Sequence, residues 1–232
     1  AADGVHSRTR SALWPLAPDP RYVGYAAWRM VTGRVRLESA GEVWGRGERF
    51  GYAPLPDGRA YCFAVINTRP GAQPGGLDEI RRRFGGWAEP VPQLLDATEP
   101  DAVMYHDLYE APRVHEYVHG RVLLLGDAAH AMTPDLGQGA GQAIEDAVAL
   151  AEAVDRGDLG AYDRLRRPRT QAVAVRARRI GQVAQISSGP LVAMRDAGMR
   201  LTPGRVVLRS FASILDGAAA ADPYGTAPPG RR

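Results

Sequence analysis

A chain of 232 residues, 45% of them hydrophobic and 24% charged, has enough apolar side chain to bury a sizeable globular core. One cysteine, Cys62, excludes an internal disulfide framework and a cysteine metal cluster, and a formal charge of +3 is too small to imply nucleic acid. No apolar run is long enough to span a bilayer, and AADGVHSRTR has no hydrophobic signal region, so a cytoplasmic protein is expected.

In chain order, Asp3-Gly4 reads as a tight turn before a helix from Val5 to Leu13, with Ser7 and Arg10 three apart on one face. Tyr22 to Val31 is rich in aromatic and apolar residues and predicts a strand closed by Thr32-Gly33. GEVWGRGERFGYAPL predicts a second strand broken by glycine bulges. Pro56-Asp57-Gly58 is a strong turn signal before RAYCFAVINT, a third strand. Strands joined by short turns make an antiparallel sheet, suited to flooring a binding pocket. LDEIRRRFGGW predicts a helix stopped by Gly85-Gly86, PVPQLLDA a short helix, and VMYHDLYE a fourth strand.

Val122 to Leu125 is a continuous apolar run, as for a strand buried on both faces. Gly126 ends it and Asp127 is the first polar side chain beyond. The loop that follows carries Pro134, Gly137, Gln138, Gly139 and Gly141 and opens into a long helix. Glycines at this density let backbone approach a ligand, and the helix start supplies unpaired N–H groups and a positive dipole end. An acid at a strand end, a glycine loop and a helix N-terminus together describe a cofactor site. Beyond Val154 the pattern is helical, with a kink or break expected at Pro168 and further helices over 191–201 and 206–215. The basic run Tyr162 to Arg179 reads as a solvated helix face and not as a nucleic-acid surface. Residues 217–232 lack apolar periodicity and are expected to be disordered.

GDAAHAMTPDLGQGAGQAIEDAVALA resembles the second flavin-binding motif of single-component FAD-dependent aromatic monooxygenases, the class of para-hydroxybenzoate and salicylate hydroxylases. ADGVHSRTR resembles the family's DGxxSxxR motif at Asp3, Gly4, Ser7 and Arg10. GYAAWR, WGRGERFGYAPLPDGRAYCF, FGGWAEPV and YDRLRRPRT are similar to the branch holding urate hydroxylases, 3-hydroxybenzoate 6-hydroxylases and zeaxanthin epoxidase. The resemblance implies a mixed α/β (α+β) flavin monooxygenase fold. It divides into an FAD-binding segment over 1–20, a substrate sheet over 21–110, a second FAD-binding segment over 111–156, C-terminal helices over 157–216 and a tail. The family's opening strand–GxGxxG–helix unit is not found, so these residues are expected to be a C-terminal piece that purifies colourless by itself.

The same resemblance implies roles. Asp127 would accept hydrogen bonds from the ribityl chain of FAD, with Asp3 and Arg10 of the first motif also on the cofactor side. Gly137, Gln138, Gly139 and Ala140 would border the isoalloxazine ring, and Pro134 would sit on its substrate side. Arg49 and Tyr61 match positions that contact substrate in the urate hydroxylase branch; an exposed arginine and a packed tyrosine are the plain alternatives. His130 is expected to be a structural hydrogen bonder before a base, and Glu145 and Asp146 to support the helix start before doing acid–base work. The implied chemistry transfers one oxygen of O₂ to a small aromatic substrate at the expense of NADH or NADPH. No nucleic-acid or membrane partner is implied, and a homodimer is left open. A non-catalytic remnant and an isoprenoid epoxidase are the competing readings.

Overall fold

The computed structural model describes residues 1–202; the helix expected over 206–215 and the tail lie outside the described residues. Among those described, no helix is long and apolar enough to cross a membrane.

The first helix, α1 (Arg8–Leu13), starts three residues later than its apolar pattern predicts. Asp3 causes this: it accepts hydrogen bonds from Ser7 Oγ at 2.6 Å and from the Thr9 N–H at 3.0 Å. Ser7 Oγ in turn accepts from the Arg10 N–H at 2.9 Å, so Ser7 is an N-cap and the residues before it stay outside the helix.

Five strands follow in one sheet: β1 (Arg21–Val31), β2 (Gly41–Trp44), β3 (Glu48–Pro54), β4 (Ala60–Asn67) and β5 (Met104–Glu110). Their order is β2-β3-β4-β1-β5 and every pairing is antiparallel. The stretch expected as one bulged strand is a hairpin instead. Gly47, at φ 71°, takes a turn conformation that side chains resist, and β2 folds back on β3 with Trp44 opposite Arg49.

Two faces follow from the alternation. One carries Trp28, Met30, Phe50, Cys62, Ala64 and Ile66. It packs on α2 (Leu77–Phe84) and α3 (Val91–Asp96) through Ile80, Phe84, Leu94 and Leu95, all essentially without solvent exposure. Each such side chain contributes about 1.5–3 kcal/mol of burial. Cys62 lies in this core, where burial pushes its thiol up to about 12, out of reach of thiolate chemistry. The opposite face carries Tyr25, Ala27, Val65 and Leu108.

The apolar run after β6 (Val118–His119) is buried but pairs as a ladder only over β7 (Val122–Leu123). Leu124 is fully buried beside Ala1: the Leu125 N–H donates to the Ala1 carbonyl at 3.0 Å, and the Ala1 amine donates to the Leu123 carbonyl. Those two bonds are the pattern of one parallel bridge. Gly126 then turns the chain at φ 58° into α4 (Asp127–His130), and a 3-10 turn at Pro134–Leu136 leads to α5 (Gly139–Asp155). Helix α6 (Leu159–Ala184) returns antiparallel to α5 and runs unbroken through Pro168, and α7 (Gly189–Leu201) follows.

Candidate functional site

The site grows from the turn at Gly126. At φ 58° and ψ −139° its backbone suits only glycine, its N–H donates to Asp146 Oδ2 at 2.9 Å, and an added Cβ would press on Ala143 in α5. The GD turn is therefore seated against the first turns of α5. Asp127 comes next. It is exposed, and no hydrogen bond or ion pair holds its carboxylate among the described residues. The other side of α4 is anchored: Arg10, buried in spite of its charge, donates from Nη1 to the Ala128 carbonyl at 2.6 Å and from Nη2 to the Val5 carbonyl at 2.5 Å. Arg10 thus fastens the DG segment to the GD segment. Its two terminal nitrogens each donate to backbone, and Asp3 accepts from Ser7 and Thr9, so both side chains already take part in holding the protein together.

The second arm is the loop into α5. Gly137 is left-handed at φ 63°, and Gln138 caps α5 without a side-chain hydrogen bond. The first N–H groups of a helix have no partner within it. The loop leaves room beside its glycines, since a Cβ at Gly137 or Gly139 would meet nothing within 4 Å. Pro134, Gly137 and Ala140 are exposed and Gln138 is half-buried. A carboxylate without a partner, followed in the chain by an open glycine loop and the positive end of a long helix, suits a polyol chain attached to a ring that gathers negative charge. On that test the residues present fit the ribityl and ring portion of FAD.

The sheet face opposite α2 and α3 reaches this loop through charge. Arg49, 2% exposed, pairs with Asp135, which directly follows Pro134; it also donates to Glu42 at 3.1 Å and lies over the Tyr25 ring at 5.9 Å. Tyr25 Oη donates to the second oxygen of Asp135 at 2.8 Å. Burial raises the Tyr25 hydroxyl, and so does the facing Asp135 carboxylate. Burial likewise raises Glu42, in spite of Arg49 beside it. Helix α6 closes over this cluster at Gly181, where any Cβ would collide with Tyr25 Oη and Asp135. Arg49 is therefore neither the exposed arginine of the plain alternative nor a bare cation: two carboxylates already face it. Tyr61 lies on the same face, half-buried against Phe63. Arg49 stands opposite Val65 in β4, four residues from Tyr61, so the two side chains are about 13 Å apart along the strand. The structure brings Arg49 to the Pro134 loop and leaves Tyr61 at the far end of the sheet.

Residues 103–177 match the family model described as FAD binding domain. Aurachin C monooxygenase/isomerase of Stigmatella aurantiaca is 39% identical over 210 residues, covering 86% of this chain and 55% of the relative. Over most of its length the chain is similar to FAD-dependent aromatic monooxygenases. FAD-dependent urate hydroxylase of Klebsiella oxytoca is 35% identical over 199 residues, 77% of this chain and 50% of the relative. Among solved structures, Klebsiella pneumoniae HpxO complexed with FAD and uric acid matches with a TM-score of 0.83 at 28% identity, over 92% of this chain and 58% of that one. A salicylate hydroxylase substrate complex matches at 27% identity with a TM-score of 0.67, over 86% and 59%. The mixed α/β flavin monooxygenase fold expected from the motifs is thus the observed one, and the chain spans about half the length of the curated relatives it matches.

Several residues of this candidate site carry no local signal. Asp135, Tyr25 and Gly181 meet only because a sheet, a loop and a helix converge. His130 Nε2 lies 2.6 Å from Asp146 Oδ2, and Arg166 Nε donates to Asp146 Oδ1 at 2.7 Å. Burial by itself would raise the Asp146 carboxyl; hydrogen bonds from His130, Arg166 and Gly126 outweigh it and hold the group below its ordinary value. With Asp146 ionised, His130 Nε2 is the donor. Sequence spacing puts Asp146 two turns inside α5 but does not say what it faces.

Proposed function

We propose that these residues form the ribityl- and ring-holding half of an FAD site together with the substrate sheet of a monooxygenase. The whole protein would insert one oxygen of O₂ into a small aromatic or heteroaromatic substrate, using NADH or NADPH. FAD, when bound, would supply the redox chemistry that passes electrons from the nicotinamide to O₂. The observation that carries this reading is the unpaired, exposed Asp127 carboxylate on a turn seated against α5, whose glycine-lined start is open.

In this reading Asp127 accepts hydrogen bonds from ribityl hydroxyls and so fixes the ring against Gly137, Gln138, Gly139 and Ala140. The backbone N–H groups there favour negative charge on the adjoining ring edge. Pro134 bounds the substrate side. Arg49, its charge balanced by Asp135 and Glu42, would orient an acceptor through N–H groups that these two carboxylates leave unused. Tyr61 belongs to the outer part of the same face. Asp3 and Arg10 serve by holding the GD turn in place. A cytoplasmic homodimer is part of the proposal for the whole protein.

Titration of the chain with FAD, followed by flavin fluorescence, tests this. Loss of hydrogen bonds to a charged acceptor is worth about 1.5–3 kcal/mol, so Asp127→Ala is expected to weaken FAD about 10- to 100-fold. Equal affinity in the variant overturns the reading.

A further inference from the structure

Asp127 sits on a helix of four residues, far too short to hold its own shape. One side chain holds both ends of it. Asp146 Oδ2 accepts from the Gly126 N–H at 2.9 Å, immediately before Asp127, and from His130 Nε2 at 2.6 Å at the last residue of α4. Its other oxygen accepts from Arg166 Nε at 2.7 Å, and Arg166 also donates to Glu145 at 2.6 Å and to the Gln142 side chain at 2.8 Å. Asp146 and Arg166 are both buried, their side chains 0% and 4% exposed, so screening by solvent is slight. Asp146 also belongs to α5, the helix whose start would border the proposed ring position.

We infer that Asp146 is a positioning residue for the flavin half-site: it locks the Gly126 turn and so fixes the Asp127 carboxylate relative to the start of α5. It does so from behind, because it is wholly buried while Asp127 is exposed. His130 and Arg166 keep it charged and oriented; they do not act on substrate. The inference rests on the FAD reading of Asp127, and it makes a claim of its own about how the turn is held.

A double-mutant cycle separates the two. Asp146→Asn keeps size but replaces one acceptor oxygen by an NH₂ group, which cannot face the donors around it. In the parent background Asp146→Asn is expected to weaken FAD about tenfold, whereas in the Asp127→Ala background it should change affinity less than twofold. The urea midpoint should fall equally in both backgrounds. A merely structural role would instead lower affinity by the same factor with or without Asp127, and that additivity overturns the inference. His130→Asn removes one of the bonds and is expected to show the same coupling at smaller size, should Asp146→Asn not fold. Amide hydrogen exchange needs no flavin. Residues 126–131 should lose protection in the variant while the five-stranded sheet keeps its own; unchanged protection there overturns the inference even if the parent chain binds no FAD. Should Asp127→Ala leave affinity intact, the FAD reading fails by itself, and the exchange result still decides whether Asp146 holds the turn.

Discussion

The sheet with α2 and α3 and the proposed flavin half-site around α4 and α5 differ in how much buried charge they carry. The sheet core is dry and apolar: Trp28, Phe50, Ile80, Phe84 and Leu94 have no solvent exposure and depend on shape and burial. The half-site adds buried charge to an apolar cluster around Leu124, Ala128 and Tyr162. Arg10, Asp146 and Arg166 are at least nine-tenths buried, and each donates to or accepts from backbone or charged side chains on other elements. A core built by area tolerates small shifts, because the force has no direction. A turn built from hydrogen-bonded charges has one geometry, and losing a partner leaves a buried charge unpaired. A ligand that must meet a carboxylate and a row of N–H groups needs the second kind of support.

The largest effect expected from this contrast belongs to the sheet. Trp28 packs at 5.5 Å from the Tyr105 ring, and its Nε1 donates to the Gly75 carbonyl at 2.8 Å. Trp28→Ala removes a fully buried aromatic and is expected to cost about 3–5 kcal/mol, measured by urea denaturation. Protection of 126–131 against hydrogen exchange should persist until the whole chain unfolds. Selective opening of the GD turn by this variant would mean that the two regions share one support, and the contrast would fail.

Arg10→Ala probes the other side. It removes two donors and leaves the buried Ala128 carbonyl short of a partner, at about 1–3 kcal/mol, and the part-buried Val5 carbonyl, at about 1 kcal/mol, for a total of about 2–4 kcal/mol. The expected signature is local: residues 3–7 and 126–130 lose exchange protection together, while β1, β3 and β4 keep theirs. A uniform loss across the sheet would show that Arg10 is not a local staple.

The same division explains what could be read from sequence. The aromatic and apolar richness of Tyr22–Val31, and the turn signal before RAYCFAVINT, placed both strands within a residue of their observed bounds. The hairpin at Gly47 was not legible, because GRG reads equally as a bulge, and only the pairing of Trp44 with Arg49 distinguishes the two. Asp127 and the glycines of its loop stood out because motif and backbone chemistry coincide within one stretch. Asp135 could not be connected to Arg49, nor Asp146 to Arg166. Those contacts span 86 and 20 residues and depend on how elements dock, which local pattern does not encode. Arg10 illustrates the limit most plainly. Its motif implies the cofactor side, yet the guanidinium reaches carbonyls of the protein itself.

The smallest expected effect concerns Asp3, the one carboxylate in these motifs that is exposed and still fully engaged. Desolvation is the largest single influence on it and acts upward. Hydrogen bonds from Ser7 and from the backbone and side chain of Thr9 together outweigh it, bringing the pKa from 3.8 down to about 2. A carboxyl whose folded pKa is depressed adds stability above its unfolded value, and that stability disappears as pH falls through the folded value. The Asp3 contribution is therefore complete above about pH 4 and is lost between about pH 4 and 2. Solvent screening keeps it below about 1 kcal/mol. Asp3→Asn keeps an acceptor for only one of Ser7 Oγ and the Thr9 N–H, which bond different oxygens, and cannot titrate, so the variant should be slightly less stable at pH 7 and show a flatter stability profile from pH 4 to 2. An unchanged slope would place the acid sensitivity of this end of the molecule elsewhere, with Asp146 the next group to test, since buried donors hold its carboxyl low as well. Asp146 and Asp3 would then be told apart by exchange at 126–131: acid that protonates Asp146 should open the GD turn, whereas acid that protonates Asp3 should loosen only the cap of α1.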